Sequence, residues 1–132
     1  MTSAITQSGP LACVEIPVRT VSEANSHQHW RVRQRRAKTH RTTAKAVMAI
    51  TAGSMPSVAP LRGPLVVRLT RIAPSRGLDS DNLPPSMKHV RDGIADWLGV
   101  DDREPRVTWT YAQERGSPKH YAVRVEIWGR DR

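Results

Sequence analysis

The chain has a single cysteine, Cys13, so it can form no disulfide within itself. The small secreted folds framed by crosslinks are thereby excluded, and the composition suits a reducing compartment. No apolar run approaches the ~20 residues that a bilayer-spanning helix needs. The opening residues, MTSAITQSGP, show neither the basic start nor the apolar core of a signal peptide. The expected setting is the cytoplasm, with no membrane partner. His27 and His29 have no cysteine nearby to complete a zinc site, and Cys13, Ser22 and Ser80 lack the spaced histidine and aspartate of a nucleophilic triad. Acid is missing from one stretch altogether: Arg31, Arg33, Arg35, Arg36, Lys38, Arg41 and Lys45 follow one another with no carboxylate among them.

What is present is positive charge, unevenly spread. The 132 residues hold 21 Lys and Arg against 12 Asp and Glu, a net of +9. Residues 1–62 carry nine basic and two acidic side chains (+7), and residues 63–132 carry twelve and ten (+2). Such a balance favours a polyanionic partner bound through phosphate contacts. Seven of the twelve acids fall between Asp79 and Glu104, which is a poor place for them in a protein that must approach phosphates, unless that segment needs negative charge.

The length fits one domain, residues 13–132, behind a loose N-terminal tail of residues 1–12. Residues 13–20 (CVEIPVRT) alternate as a strand, and Pro17 puts that strand at a sheet edge because it cannot donate to a ladder. Residues 22–26 form a polar break. From about Gln28 to Ala52 nothing stops a helix, and Trp30, Ala37, Ala44, Val47 and Met48 recur at helical spacing as a thin apolar stripe. Gly53 is its expected stop, and residues 54–63 read as a loop. Leu65 to Ile72 (LVVRLTRI) is a strand with Leu65, Val67 and Leu69 on one face. Pro84 and Pro85 suit the first turn of a second helix that runs to Leu98 and ends at Gly99, its stripe being Met87, Val90, Ile94 and Trp97. Residues 106–113 and 121–128 complete the set as strands, the last with Tyr121, Val123, Val125 and Ile127 facing the core. The prediction is a two-layer α/β (α+β) fold, a mixed β-sheet with two packed helices, in the order β-α-β-α-β-β.

Two constellations could carry chemistry. On a helix the cations from Arg31 to Lys45 point in several directions, and like charges at i,i+4 repel, so contact with nucleic acid explains them better than a solvated face does. Arg31, Arg33, Arg35, Arg36, Lys38 and Arg41, with His29 at the helix entry, are the candidate contacts; they give affinity and orientation rather than base reading. The second is acidic: Asp79 and Asp81 in the loop after the central strand, and Asp101 and Asp102 after the second helix. Hard carboxylate oxygens of this kind suit Mg²⁺ and phosphodiester hydrolysis. A plainer reading makes them turn residues, with Asp81 or Asn82 capping the helix. A helix of ~15 residues would also hold the two acidic turns about 20 Å apart.

The run Leu78-Asp79-Ser80-Asp81-Asn82-Leu83, followed by an amphipathic helix with Lys88 and then Val100-Asp101-Asp102 before a strand, resembles the RusA-type Holliday junction resolvases. The likeness extends upstream to Ser22-Glu23-Ala24-Asn25 and the basic helix, over roughly residues 13–128. It implies a homodimeric Mg²⁺-dependent endonuclease that resolves four-way or otherwise branched DNA in recombination and repair. By position, Asp79, Asp81 and Asp102 would hold the metal, Lys88 would join them in catalysis, and Asn25 would be a loop residue near the DNA. The chain departs from the pattern in two places. Pro84 and Pro85 stand where the family has a lysine soon after the Asp-Asn pair, displacing Lys88 by about a turn. Residues 22–25 lack the usual proline and second asparagine. Two other readings compete: a basic nucleic-acid-binding module of the same fold without catalysis, and an accessory factor whose acidic patch meets a basic partner.

Overall fold

A computed structural model describes residues 9–22, 29–52 and 63–129. Within them lie seven elements: β1 (Ala12–Ile16), α1 (Trp30–Thr51), β2 (Leu65–Ala73), α2 (Leu83–Ser86), α3 (Lys88–Leu98), β3 (Val107–Arg115) and β4 (Ala122–Gly129). The expected order holds, except that the second helix is two. Ser86 Oγ donates to the Leu83 carbonyl at 2.6 Å and Met87 leaves helical dihedrals (φ −114°, ψ 13°), so the proline turn is a separate short element. The predicted tail (except residues 9–12), the Asn25 loop, the Gly53 stop and most of the 54–63 loop lie outside the described residues.

The four strands form one mixed sheet in the order β1-β4-β2-β3, antiparallel except for the β2/β3 pair. β1 is an edge strand, as Pro17 requires, and it stops at Ile16, short of the predicted Thr20. A parallel β2/β3 pair needs a crossover, which α2 and α3 supply. Period-two alternation decides the two faces. Leu65, Val67 and Leu69 of β2 face inward with Val14 and Ile16 of β1 and Val123, Val125 and Ile127 of β4, beneath Val90, Ile94 and Leu98 of α3. The opposite face carries cross-strand ion pairs, Arg68 to Glu126 at 2.8 Å and Arg124 to Glu114 at 2.9 Å, as a solvated face should. The two-layer α/β architecture is thus the observed one.

Three packing expectations change. Trp30, the first residue of the predicted α1 stripe, is 52% exposed, because α1 meets the core only through its second half, where His40, Ala44 and Met48 are buried. Residues 29–35 are exposed all round. Tyr121 lies outside the core and stacks instead under the Arg19 guanidinium, 4.3 Å from the ring centroid. Trp97 packs at the core's margin rather than within it. No helix among the described residues is long and apolar enough to cross a membrane.

α1 and α3 are tied across 55 residues of sequence by a bidentate pair: Arg41 Nε and Nη2 donate to Asp96 Oδ2 and Oδ1 at 2.7 and 2.8 Å. The hydrogen bonds from Arg41 hold the Asp96 carboxyl below its ordinary pKa. A depressed carboxyl pKa stabilises the fold above the unfolded value of about 4 and ceases to do so as pH falls through the folded value. Both side chains are partly exposed, so solvent screening keeps the contribution to about 1 kcal/mol or less. Asp96→Asn is expected to lower urea-unfolding stability by that amount at pH 7 and to make almost no difference near pH 2. An equal deficit at both pH values would show that the charge is not what matters.

Candidate functional site

The Asp79 loop begins where β2 ends, and one side chain fixes it. Gln113 of β3 grips the backbone of Leu78 from both sides: the Leu78 N–H donates to Oε1 at 2.8 Å and Nε2 donates to the Leu78 carbonyl at 2.7 Å. The next residue is Asp79, whose carbonyl accepts the N–H groups of Asn82 and Leu83 at 2.9 and 3.0 Å and so turns the chain into α2. Asn82 at the N-cap makes no side-chain capping hydrogen bond. Neither carboxylate of Asp79 and Asp81 enters a salt bridge with a described residue, and both residues are exposed. The capping role open to Asp81 or Asn82 is therefore not what their side chains do.

Asp102 reaches the other end of α3 by a reversal. Gly99 takes a left-handed conformation (φ 77°), with its N–H on the Asp96 carbonyl and the Val100 N–H on the Ala95 carbonyl. This is a Schellman closure, which glycine makes without the Cβ penalty, and Val100 packs on the core beside it. Arg91 then holds the returning segment: Nη2 donates to the Asp102 carbonyl at 2.6 Å, Nη1 donates to Tyr111 Oη at 2.8 Å, and the guanidinium lies 4.7 Å from the Trp109 ring centroid. The 11-residue α3 spans about 16 Å. Even so, Asp102 lines a cleft of about 270 Å³ with Lys88 at the start of that helix and with Pro84 and Pro85 of α2. Asp102 and Lys88 thus meet, but the length objection concerned the two acidic turns, and neither cleft that Asp102 lines includes Asp79 or Asp81.

Lys88 has partly settled business. Its Nζ lies 3.5 Å from Asp92 Oδ2, an i,i+4 pair with the lysine largely exposed. A second cleft of similar size brings Lys88 together with Arg41, Asp92, Asp96, Asp101 and Asp102. Within it Asp101 is engaged: its Oδ1 accepts the Arg103 backbone N–H at 2.9 Å, and that bond, with a contact to Asp102, lowers its pKa. Among the described residues, no three His, Cys, Asp or Glu side chains are grouped to share a metal ion. Mg²⁺ needs no such cage, because one or two carboxylates suffice when water and substrate phosphate fill the other positions. Asp79 and Asp81, two exposed carboxylates in one loop, fit that use, whereas Asp102 lies with Lys88 in clefts that neither of them lines.

On α1 the predicted cations separate. Arg41 is taken by Asp96, so it ties helices together, whereas Arg31, Arg33, Arg35 and Lys38 are exposed and Arg36 is half-buried. His29 is the N-cap, its Nδ1 accepting the Arg31 backbone N–H at 3.1 Å. The stretch projects beyond the core with Trp30 at its tip, 5.6 Å from the Arg31 guanidinium. Asn25 lies outside the described residues. Gln113 and Arg91 escaped sequence reasoning; an arginine directly after an apolar stripe residue, Val90, was the only hint of either.

No protein-family model matches the chain. An uncharacterized protein of Xylella fastidiosa (strain Temecula1) is 41% identical to it over 80 residues, which are 60% of this chain. The matched stretch spans about half, 52%, of that relative's length.

Proposed function

We propose that the chain is a Mg²⁺-dependent, structure-specific endonuclease that resolves branched DNA such as four-way junctions, acting as a homodimer. The observation that carries this reading is the return of Asp102 to the Lys88 end of α3, which the short α2 separates in sequence from the Asp79 and Asp81 loop, with none of these three carboxylates taken by a salt bridge to a described residue. Asp79, Asp81 and Asp102 would hold the metal, which when bound activates a water and neutralises phosphoryl oxygens. Lys88 would lie against the scissile phosphate at the price of its weak pairing with Asp92. The projecting cations Arg31, Arg33, Arg35, Arg36 and Lys38, with His29 at the helix tip, supply backbone affinity, and Arg41 contributes mainly through Asp96. Symmetric incision of a junction needs two such sites related by a two-fold axis, hence the dimer.

The same basic arm favours one competitor, a DNA-binding module that does not cut. A labelled synthetic four-way junction, incubated with Mg²⁺ or with EDTA, separates the two. Cleavage in Mg²⁺ alone is expected, and binding without cleavage would leave the module. In the same assay Arg35→Ala with Arg36→Ala should weaken binding to every DNA sequence and reduce the slope of log affinity against log salt by about two. Unchanged binding would instead favour the accessory-factor reading.

A further inference from the structure

Where β2 and β3 end side by side, a cleft of about 330 Å³ is lined by Arg71, Arg76 and Arg115 together with Ser75, Gly77 and Gln113, and by one acid, Glu114. Arg71 is unusual in this protein. It is 7% exposed, and no carboxylate among the described residues pairs with it; its Nε donates to Thr20 Oγ1 at 3.0 Å. Burial pushes its pKa down, with Tyr121 acting the other way, yet a guanidinium stays protonated in proteins. A buried cation without a counter-charge is costly and is normally paired or bound to something. The acid in the lining does not serve, since Glu114 is occupied by Arg124 through two hydrogen bonds of 3.1 and 2.9 Å. Arg115 is held by its own Nε on the Pro74 carbonyl at 3.1 Å, and Arg76 is exposed.

We propose that Arg71, Arg76 and Arg115 form a phosphate-binding pocket, and that its ligand is a backbone phosphate of the nucleic acid next to the one presented to Asp79. Planar guanidinium groups bind phosphate oxygens in pairs, which a lysine cluster does not do. The location supports the identity of the ligand: Gly77 and Gln113 line the pocket, and Gln113 grips Leu78, the residue before Asp79. A phosphate held there fixes the strand's register against the acidic loop. The choice of nucleic acid over a free phosphate rests on the proposed function; the pocket itself does not.

The test titrates the full chain, in EDTA, with a phosphorylated dinucleotide whose two nucleosides are joined by one charged phosphodiester, with its phosphate-free counterpart carrying a neutral formacetal linkage instead, and with inorganic phosphate, each at matched ionic strength. Arg71→Met keeps the side-chain bulk and removes the buried charge, so it should fold at least as well as the parent. Both it and the exposed Arg76→Gln should weaken binding of phosphorylated dinucleotide roughly tenfold or more. The phosphate-free dinucleotide should lose much less. If inorganic phosphate binds as tightly as the phosphorylated dinucleotide, the nucleic-acid assignment is overturned while a phosphate pocket stands. Equal affinities of parent and both variants for every probe would overturn the pocket. Junction cleavage measured on the same variants separates this from the functional reading: a parent that binds phosphate but cuts nothing sinks the nuclease alone, and a parent that cuts while both variants bind normally sinks the pocket alone.

Discussion

Asp81→Asn is expected to leave the protein folded and bound to DNA while reducing cleavage of a four-way junction on the order of a hundredfold or more. The structural cost should be small, because Asp81 is exposed and the α2 N-cap, Asn82, makes no side-chain capping bond that a neighbour's charge would support. Asparagine is nearly isosteric, and it keeps one carbonyl oxygen but loses the charge that, on the proposed nuclease reading, would hold a divalent ion. Metal-assisted activation of water and neutralisation of the phosphoryl oxygens amount to several kcal/mol, and each 1.4 kcal/mol is about a factor of ten in rate. The measurement is single-turnover cleavage over a range of Mg²⁺, with circular dichroism and a DNA-binding titration as controls. A variant that cuts as fast as the parent at every Mg²⁺ concentration would remove Asp81 from the site.

The largest structural effect is expected at Gly93, in the middle of α3. Helix propensity alone makes alanine there better by about 1 kcal/mol. Tertiary packing opposes it: a Cβ at Gly93 would lie less than 3 Å from the Arg41 carbonyl oxygen and 2.8 Å from the Ala44 Cβ, both on α1. The closer partner is backbone, so relief requires moving one helix away from the other, in a region that also contains the Arg41–Asp96 pair. Overpacking typically costs about 1–3 kcal/mol, and because the closer partner is backbone that cannot rotate away, the upper part of that range applies and outweighs the propensity gain. Gly93→Ala should therefore lower the thermal midpoint by several degrees, and adding Ala44→Gly should not restore it, since the Arg41 carbonyl remains. A variant more stable than the parent would mean that the helices slide apart freely.

Expectation and structure diverge in an ordered way along the chain. Alternation in LVVRLTRI, and the step of three and four through Met87, Val90 and Ile94, put the right residues in the core because burial of one face is a local property repeated with a fixed period. Pro17 at an edge and Gly99 at a helix end also came from local chemistry, one lacking an N–H and the other lacking a Cβ. Trp30 failed by the same logic: its spacing suited the stripe, but spacing carries no information on how far the sheet extends beneath the helix.

By itself, then, the sequence determined the α/β class, the element order, the inward faces, the basic arm and the acidic loop as a place worth inspecting. Only the tertiary structure decided which charges remain available. Arg41 and Asp96 are 55 positions apart, Arg71 and Thr20 are 51, and Gln113 and Leu78 are 35, and no periodicity encodes those meetings. They follow from strand order and helix crossing, because a charged side chain's role is set by which partners and how much water the assembled layers leave around it. Asp102 beside Lys88 and Arg71 at the end of β2 are consequences of that assembly.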